Sequence, residues 1–277
     1  MRGLIWVVTI GCVTVIAFLL MVFIFGEWTK DRPPTVASQP ESAPASVAGP
    51  SIDGIRLPVD KSGQIAYTPE TFDIISNALF KNVYRLLARQ IYGDYGINEG
   101  VCIDVGCGPC GLSIELAKIT DLRFYALDID PAVFPIATRR LNEARLLPRF
   151  SLVTGDAQDM PFKDNLADLI ISRGSFLFWD DKIAGFREIY RVLKPGGVAF
   201  VGGGMGRFLP DEEATKIGQE LKRLRYGPRC WGVIAPSVPG MRDVLEKAGV
   251  PTAQYKIIEE SEPDSGCACD MWVQIRK

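Results

Sequence analysis

Two carboxylates and a glycine-rich turn carry the chemistry that is legible first in this chain. Val101 to Gly111 reads VCIDVGCGPCG: an apolar run meets Asp104 and opens into a turn holding Gly106, Gly108 and Gly111. About seventeen residues past that turn, Asp128 closes a second apolar run, RFYALD. Glycines let backbone N–H groups come close to a ligand, and an acid ending the next strand can accept hydrogen bonds from ribose hydroxyls. The same glycines spell G-x-G-x-x-G, the phosphate turn of dinucleotide enzymes. The turn alone therefore leaves two kinds of nucleotide pocket open.

The elements that must position these groups alternate along the chain. Apolar runs at 101–105, 123–128, 150–154, 167–172 and 197–202 are separated by helix-like stretches at 111–119, 131–145 and 180–193. Such alternation predicts a parallel sheet with helices on both faces. Lys194-Pro195-Gly196-Gly197 stops the third helix and turns into the fifth strand. Helical stretches follow near 211–225 and 240–248, then strands near 253–261 and 270–276. The short turn-rich join PDSGCAC makes the last pair an antiparallel hairpin, which a purely parallel dinucleotide fold would not need. Upstream, Thr68-Pro69-Glu70 reads as a capped helix start. Apolar residues from Phe72 to Ile91 at three-to-four spacing predict one amphipathic helix of about six turns, which could lid the pocket or cover a sheet edge.

Composition narrows the chemistry. The chain has 277 residues, a formal net charge of -2 and no histidine. Near-neutrality argues against a nucleic-acid partner. The missing histidine removes Ser-His and Cys-His nucleophiles, histidine-ligated metals and any histidine base. Seven cysteines (12, 102, 107, 110, 230, 267 and 269) are an odd set with three crowded into one region, which reads as reduced thiols rather than a disulfide framework.

Leu4 to Phe25 is uncharged over about 22 residues, long enough at 1.5 Å per residue to span roughly 33 Å of bilayer. Trp6 and Trp28 lie at its ends. It is longer than a signal-peptide core and lacks a small-residue cleavage site, and it continues well past Cys12, where a lipoprotein signal would end. We expect a single transmembrane anchor over residues 1–30. Arg2 precedes the span and Lys30 and Arg32 follow it, which favours a cytoplasmic C-terminal domain. A Pro/Ser/Ala-rich stretch, clearest from Asp31 to about Pro50, is expected to be an unfolded linker within 31–60. The globular domain is then 61–277, with 61–97 as a helical cap.

From about residue 70 to the end, the chain resembles the class I S-adenosylmethionine-dependent methyltransferases, motif by motif and in order. IDVGCGPCG resembles their first motif, ALDID the ribose-binding motif, TGDAQDMPF the adenine segment, DLIISRGSFLFW the fourth strand with its substrate-facing loop, and REIYRVLKPGG the approach to strand five. The resemblance implies an α/β, Rossmann-like, doubly wound seven-stranded sheet with an antiparallel last strand, here joined to one transmembrane helix. It implies S-adenosyl-L-methionine as cofactor, with contacts at Asp104, Gly106, Cys107, Gly108, Asp128, Ile129, Asp156, Ala157 and Ser172. Asp104 would face the methionine ammonium, Asp128 the ribose, and Asp156 with Ala157 the adenine. The chain departs from the family at Cys110, where a third glycine is common; cysteine is small enough for the turn. An acid at 104 would also crowd a pyrophosphate, which disfavours a dinucleotide oxidoreductase.

Methyl transfer needs alignment more than a catalytic side chain, so none is assigned. Asp180, Asp181 and Tyr226 are the candidate bases for a hydroxyl acceptor. Phe176, Phe178 and Trp179 could wall an apolar acceptor site or pack in the core. The expected partners are a small, apolar or lipid-phase methyl acceptor and the membrane that holds the anchor. Two alternatives stand beside this reading: a protein that binds the cofactor without catalysis, and a methyltransferase acting on a soft metal or metalloid held by Cys230, Cys267 and Cys269. No resident metal is expected.

Overall fold

Apolar runs flanked by turn residues become five parallel strands, because only a central position in a sheet covers both faces of such a run. In this computed structural model, which describes residues 49–227, 233, 235–259 and 271–277, they are β3 (Val101–Val105), β4 (Arg123–Asp128), β5 (Phe150–Thr154), β6 (Ala167–Arg173) and β7 (Leu193–Gly202). With β8 (Tyr255–Glu259) and β9 (Met271–Arg276) they form a seven-stranded sheet in the order β5-β4-β3-β6-β7-β9-β8. β9 runs antiparallel to both of its neighbours, as the late hairpin predicted. The chain winds outward from β3 in one direction and from β6 in the other. The crevice beyond the carboxyl ends of these two strands is where such sheets bind ligands.

Alternate residues of one strand feed two cores. Cys102 of β3, Phe124 of β4 and Phe200 of β7 pack on one face with Leu87, Leu116 and Trp272. Ile103 and Val105 of β3 and Leu127 of β4 pack on the other with Phe186, Ile189 and Met241. The sheet is thus covered on both sides, and its strand ends are the place left for ligand.

The helices are α1 (Pro69–Leu79), α2 (Lys81–Tyr95), α3 (Gly111–Ala117), α4 (Phe134–Glu143), α5 (Lys182–Val192), α6 (Asp211–Leu224) and α7 (Val238–Lys247). Thr68 caps α1 by accepting from the Thr71 N–H, with Pro69 in the first turn. The single helix expected from Phe72 to Ile91 is two. Phe80 leaves helical geometry at φ -105°, ψ 1° and separates α1 from α2. Its ring is buried under the Arg173 guanidinium, 4.4 Å away, and beside Tyr84. Tertiary packing at that residue outweighs an uninterrupted helical pattern.

The expected linker also ends sooner than residue 60. Ser51–Ile52 and Ile55–Arg56 pair as a short antiparallel hairpin (β1, β2), and Ile52 and Leu57 are buried in the first core. The folded region therefore begins before residue 61. No helix among the described residues is long and apolar enough to cross a membrane; the stretch expected to do so, 4–25, lies outside the described residues.

Candidate active site

The glycine turn between β3 and α3 is held by its neighbour strand. Gly106 N–H and Cys107 N–H both donate to the Leu127 carbonyl, at 2.8 and 3.0 Å. Gly108 N–H donates to Asp128 Oδ2 at 2.8 Å, and Asp130 N–H donates to the other carboxylate oxygen at 3.0 Å. Cys110 N–H closes the turn on the Cys107 carbonyl at 2.9 Å. The turn thus spends its N–H groups internally instead of offering them to a ligand, contrary to the simplest expectation for a glycine loop.

Glycine is required for closeness. Gly106 has φ +69°, and a Cβ there would run into the Cβ of Ser175. A Cβ on Gly108 would stand 3.3 Å from the Phe72 ring of α1, so the N-terminal helices do close over this turn. Cys110 also adopts the left-handed region, φ 60°, where glycine is the usual occupant, and its side chain is fully buried.

Asp104 and Asp128 come together at the ends of adjacent strands. Asp104 is 3% exposed, and among the described residues it pairs with no arginine or lysine. Burial pushes its carboxyl up to about 7; the Ser113 hydroxyl pulls it down, and the Asp128 charge adds to the rise. A buried acid poised near neutrality is suited to a cationic ligand, which would restore its ionised form. Asp128 is half-buried, and burial likewise raises it, against the backbone donors from Asp130 and Gly108. Each of its oxygens accepts one backbone bond, which leaves lone pairs for two vicinal hydroxyls.

The other expected contacts are distributed along the same edge. Asp156 lies just past β5, where its carboxylate accepts from the backbone and side chain of Gln158. Ala157 beside it is buried, whereas Ile129, the residue after Asp128, is 67% exposed. Ser172 lies beneath the turn. It is fully buried, with its hydroxyl 2.7 Å from that of Ser175, which donates to the Val105 carbonyl at 2.9 Å. Its side chain braces the turn from beneath.

Phe176, Phe178 and Trp179 divide between the two roles open to them. Phe176 and Trp179 are buried edge-on against each other and Phe186, and only Phe178 is exposed. Asp181 caps α5 by accepting from Ala184 N–H, and Asp180 is exposed beside it. Tyr226 is buried, which drives its hydroxyl well above the ordinary value and makes it a poor base. Cys102, Cys107 and Cys110 are free and buried; Cys12, Cys230, Cys267 and Cys269 lie outside the described residues. Residues 84, 113 and 175 were not singled out from sequence. Tyr84 packs on Gly111, Ser113 on Asp104 and Ser175 on Gly106. A hydroxyl in the helical turn after the glycine loop was the only hint.

Comparison with known proteins gives a consistent result. Residues 103–201 match the model of the methyltransferase domain family. The sterol 24-C-methyltransferase of Aspergillus fumigatus is 32% identical over 148 residues, covering 52% of this chain and 38% of that protein. The demethylmenaquinone methyltransferase of Chlorobaculum tepidum is 26% identical over 174 residues, covering 60% of this chain and 66% of that protein. The chain thus spans less than two thirds of these curated relatives. A crystal structure from Methanococcus maripaludis, of a protein assigned to the S-adenosyl-L-methionine-dependent methyltransferases, is 36% identical and covers 82% of this chain and 97% of that one, with a TM-score of 0.66.

Proposed function

The chain belongs to the S-adenosylmethionine-dependent methyltransferases, and from that premise we propose that it is a membrane-anchored enzyme that methylates a small, lipid-phase acceptor. The observation that carries the cofactor half is the pairing of Asp104 and Asp128 across a turn whose N–H groups are already bonded. When bound, S-adenosylmethionine supplies a methyl group on a sulfonium centre, which an acceptor atom displaces in line.

Asp104 would hold the ammonium of the amino-acid tail and gives up its proton to do so. Asp128 would accept from both ribose hydroxyls; Asp156 and Ala157 would bound the adenine, with Ile129 as its apolar neighbour. Ser175, braced by Ser172, keeps the turn at its spacing from β6. Phe72 of α1 and Tyr84 of α2 lie against Gly108 and Gly111, so the helical cap would exclude water from the methionine end. Alignment and dryness supply the catalysis, worth roughly 7–11 kcal/mol for well-oriented reactants.

Two observations support a lipid-phase acceptor held near its enzyme. Leu4 to Phe25 has the length and composition of a single span. Two relatives are named for a sterol and for demethylmenaquinone, both predominantly apolar molecules. One positive charge before the span, Arg2, against two after it, Lys30 and Arg32, favours a catalytic domain on the cytoplasmic side. Deleting residues 1–30 tests this. Methylation of an acceptor dissolved in vesicles should fall at least about tenfold, as tethering raises effective concentration, while that of a soluble short-chain analogue stays constant. Equal rates for both would refute the anchored reading.

A further inference from the structure

Cys107-Gly108-Pro109-Cys110 places two thiols in the tightest part of the proposed cofactor turn. The bond from Cys110 N–H to the Cys107 carbonyl makes this a four-residue turn, which brings the two Cα atoms within about 7 Å. Disulfides take Cα separations of about 4.4–6.8 Å. Both sulfurs already converge on one atom, the Gly108 carbonyl oxygen, at 3.5 Å from Cys107 Sγ and 3.9 Å from Cys110 Sγ. Cys110 beside it, together with burial, holds the Cys107 thiol well above the ordinary thiol range, so exchange there runs through a small thiolate fraction. Cys110 occupies a left-handed position that glycine would fill with less strain. A second thiol at that place is chemistry that the turn does not need in order to fold.

We propose that Cys107 and Cys110 form a reversible dithiol–disulfide site, and that its oxidation weakens cofactor binding. Cys107, slightly exposed where Cys110 is fully buried, is the entry point. Its thiolate attacks a small-molecule disulfide, forming a mixed disulfide and releasing one thiolate. The Cys110 thiolate then attacks Cys107 Sγ and releases the second. The two cysteines lose two electrons to the small disulfide, and their protons pass to its two thiol products.

The consequence follows from what lies between the sulfurs. Bringing them to about 2.05 Å draws the turn tight around Gly108. Gly108 is the residue whose N–H holds Asp128 Oδ2. Tightening displaces that donor and, with it, the acid expected to take the ribose. Linkage makes the effect mutual: bound cofactor covers Cys107 and opposes oxidation by the factor through which oxidation opposes binding.

This inference rests on the methyltransferase reading, and the experiment separates the two. The full-length protein is equilibrated to completion in glutathione buffers of graded oxidised-to-reduced ratio. Free thiols are then alkylated, and the 107–110 peptide is weighed. S-adenosylhomocysteine affinity is measured on the same samples. The expected result is a two-hydrogen loss confined to that peptide, about tenfold or greater weakening of affinity, and recovery of both on reduction. Added S-adenosylhomocysteine should shift the oxidation midpoint toward more oxidising buffers. In Cys110→Gly, affinity should be the same in oxidising and reducing buffers. No disulfide in the most oxidising buffer, or a disulfide with unchanged affinity, would overturn the proposal. If the reduced protein has no affinity at all, the methyltransferase reading fails, and peptide mass alone then decides whether the disulfide forms.

Discussion

Replacing Asp104 with asparagine should flatten the pH dependence of cofactor binding. In the ligand-free protein, burial lifts this carboxyl from its ordinary 3.8 to about 7. A ligand ammonium binds the ionised form, so below pH 7 each binding event must first remove a proton. From pH 7.0 down to 5.5 the ionised fraction falls about fifteenfold, and the apparent affinity should fall with it. The ligand amine stays charged over that window. Calorimetry with S-adenosylhomocysteine in buffers of different ionisation enthalpy reads the released proton directly, approaching one per ligand at pH 5.5.

The same displacement sets stability. The folded state holds the proton more tightly than the unfolded chain. The contribution of Asp104 to stability is therefore complete below about pH 4 and lost as pH rises through 7, by roughly 4 kcal/mol at most. Asp104→Asn should lose this slope in denaturant titrations as well as the proton release. Wild-type affinity independent of pH between 5.5 and 7.0, or an asparagine variant that keeps the full slope, would refute the reasoning.

Two further outcomes follow from the turn. Asp128→Asn should weaken S-adenosylhomocysteine binding by about ten- to a hundredfold, because a charged acceptor to two hydroxyls is lost, and should weaken binding of the 2′-deoxy analogue less; equal losses for both would contradict a ribose role. Gly106→Ala should lower stability by about 2–3 kcal/mol or more, as its Cβ meets Ser175 in a backbone region hostile to side chains; an unchanged urea midpoint would show that the turn has room.

The strands were legible because burial on both faces leaves a dense apolar run, and three of them, at 101–105, 123–128 and 150–154, have the bounds expected. Asp104 and Asp128 were legible because acids ending such runs have few other reasons to recur. The break at Phe80 was not, since its cause is Arg173, far along the chain and packed over the ring. Ile52 and Leu57 were hidden in a stretch read by its prolines and serines. Ser113, Ser175 and Tyr84 act through contacts between elements, which spacing along one element does not encode. For Phe176 and Trp179 the sequence left two roles open. Aromatic residues in a loop at the ligand end can wall a site or pack in the core, and the fold makes these two core.

Transfer of tritium from methyl-labelled S-adenosylmethionine into a membrane-lipid extract is the most direct measurement. The full chain should yield labelled, solvent-extractable product, and the Asp104→Asn, Asp128→Asn double variant should yield almost none. Label incorporation no greater than in the double variant, from a reduced and folded protein, would contradict the account.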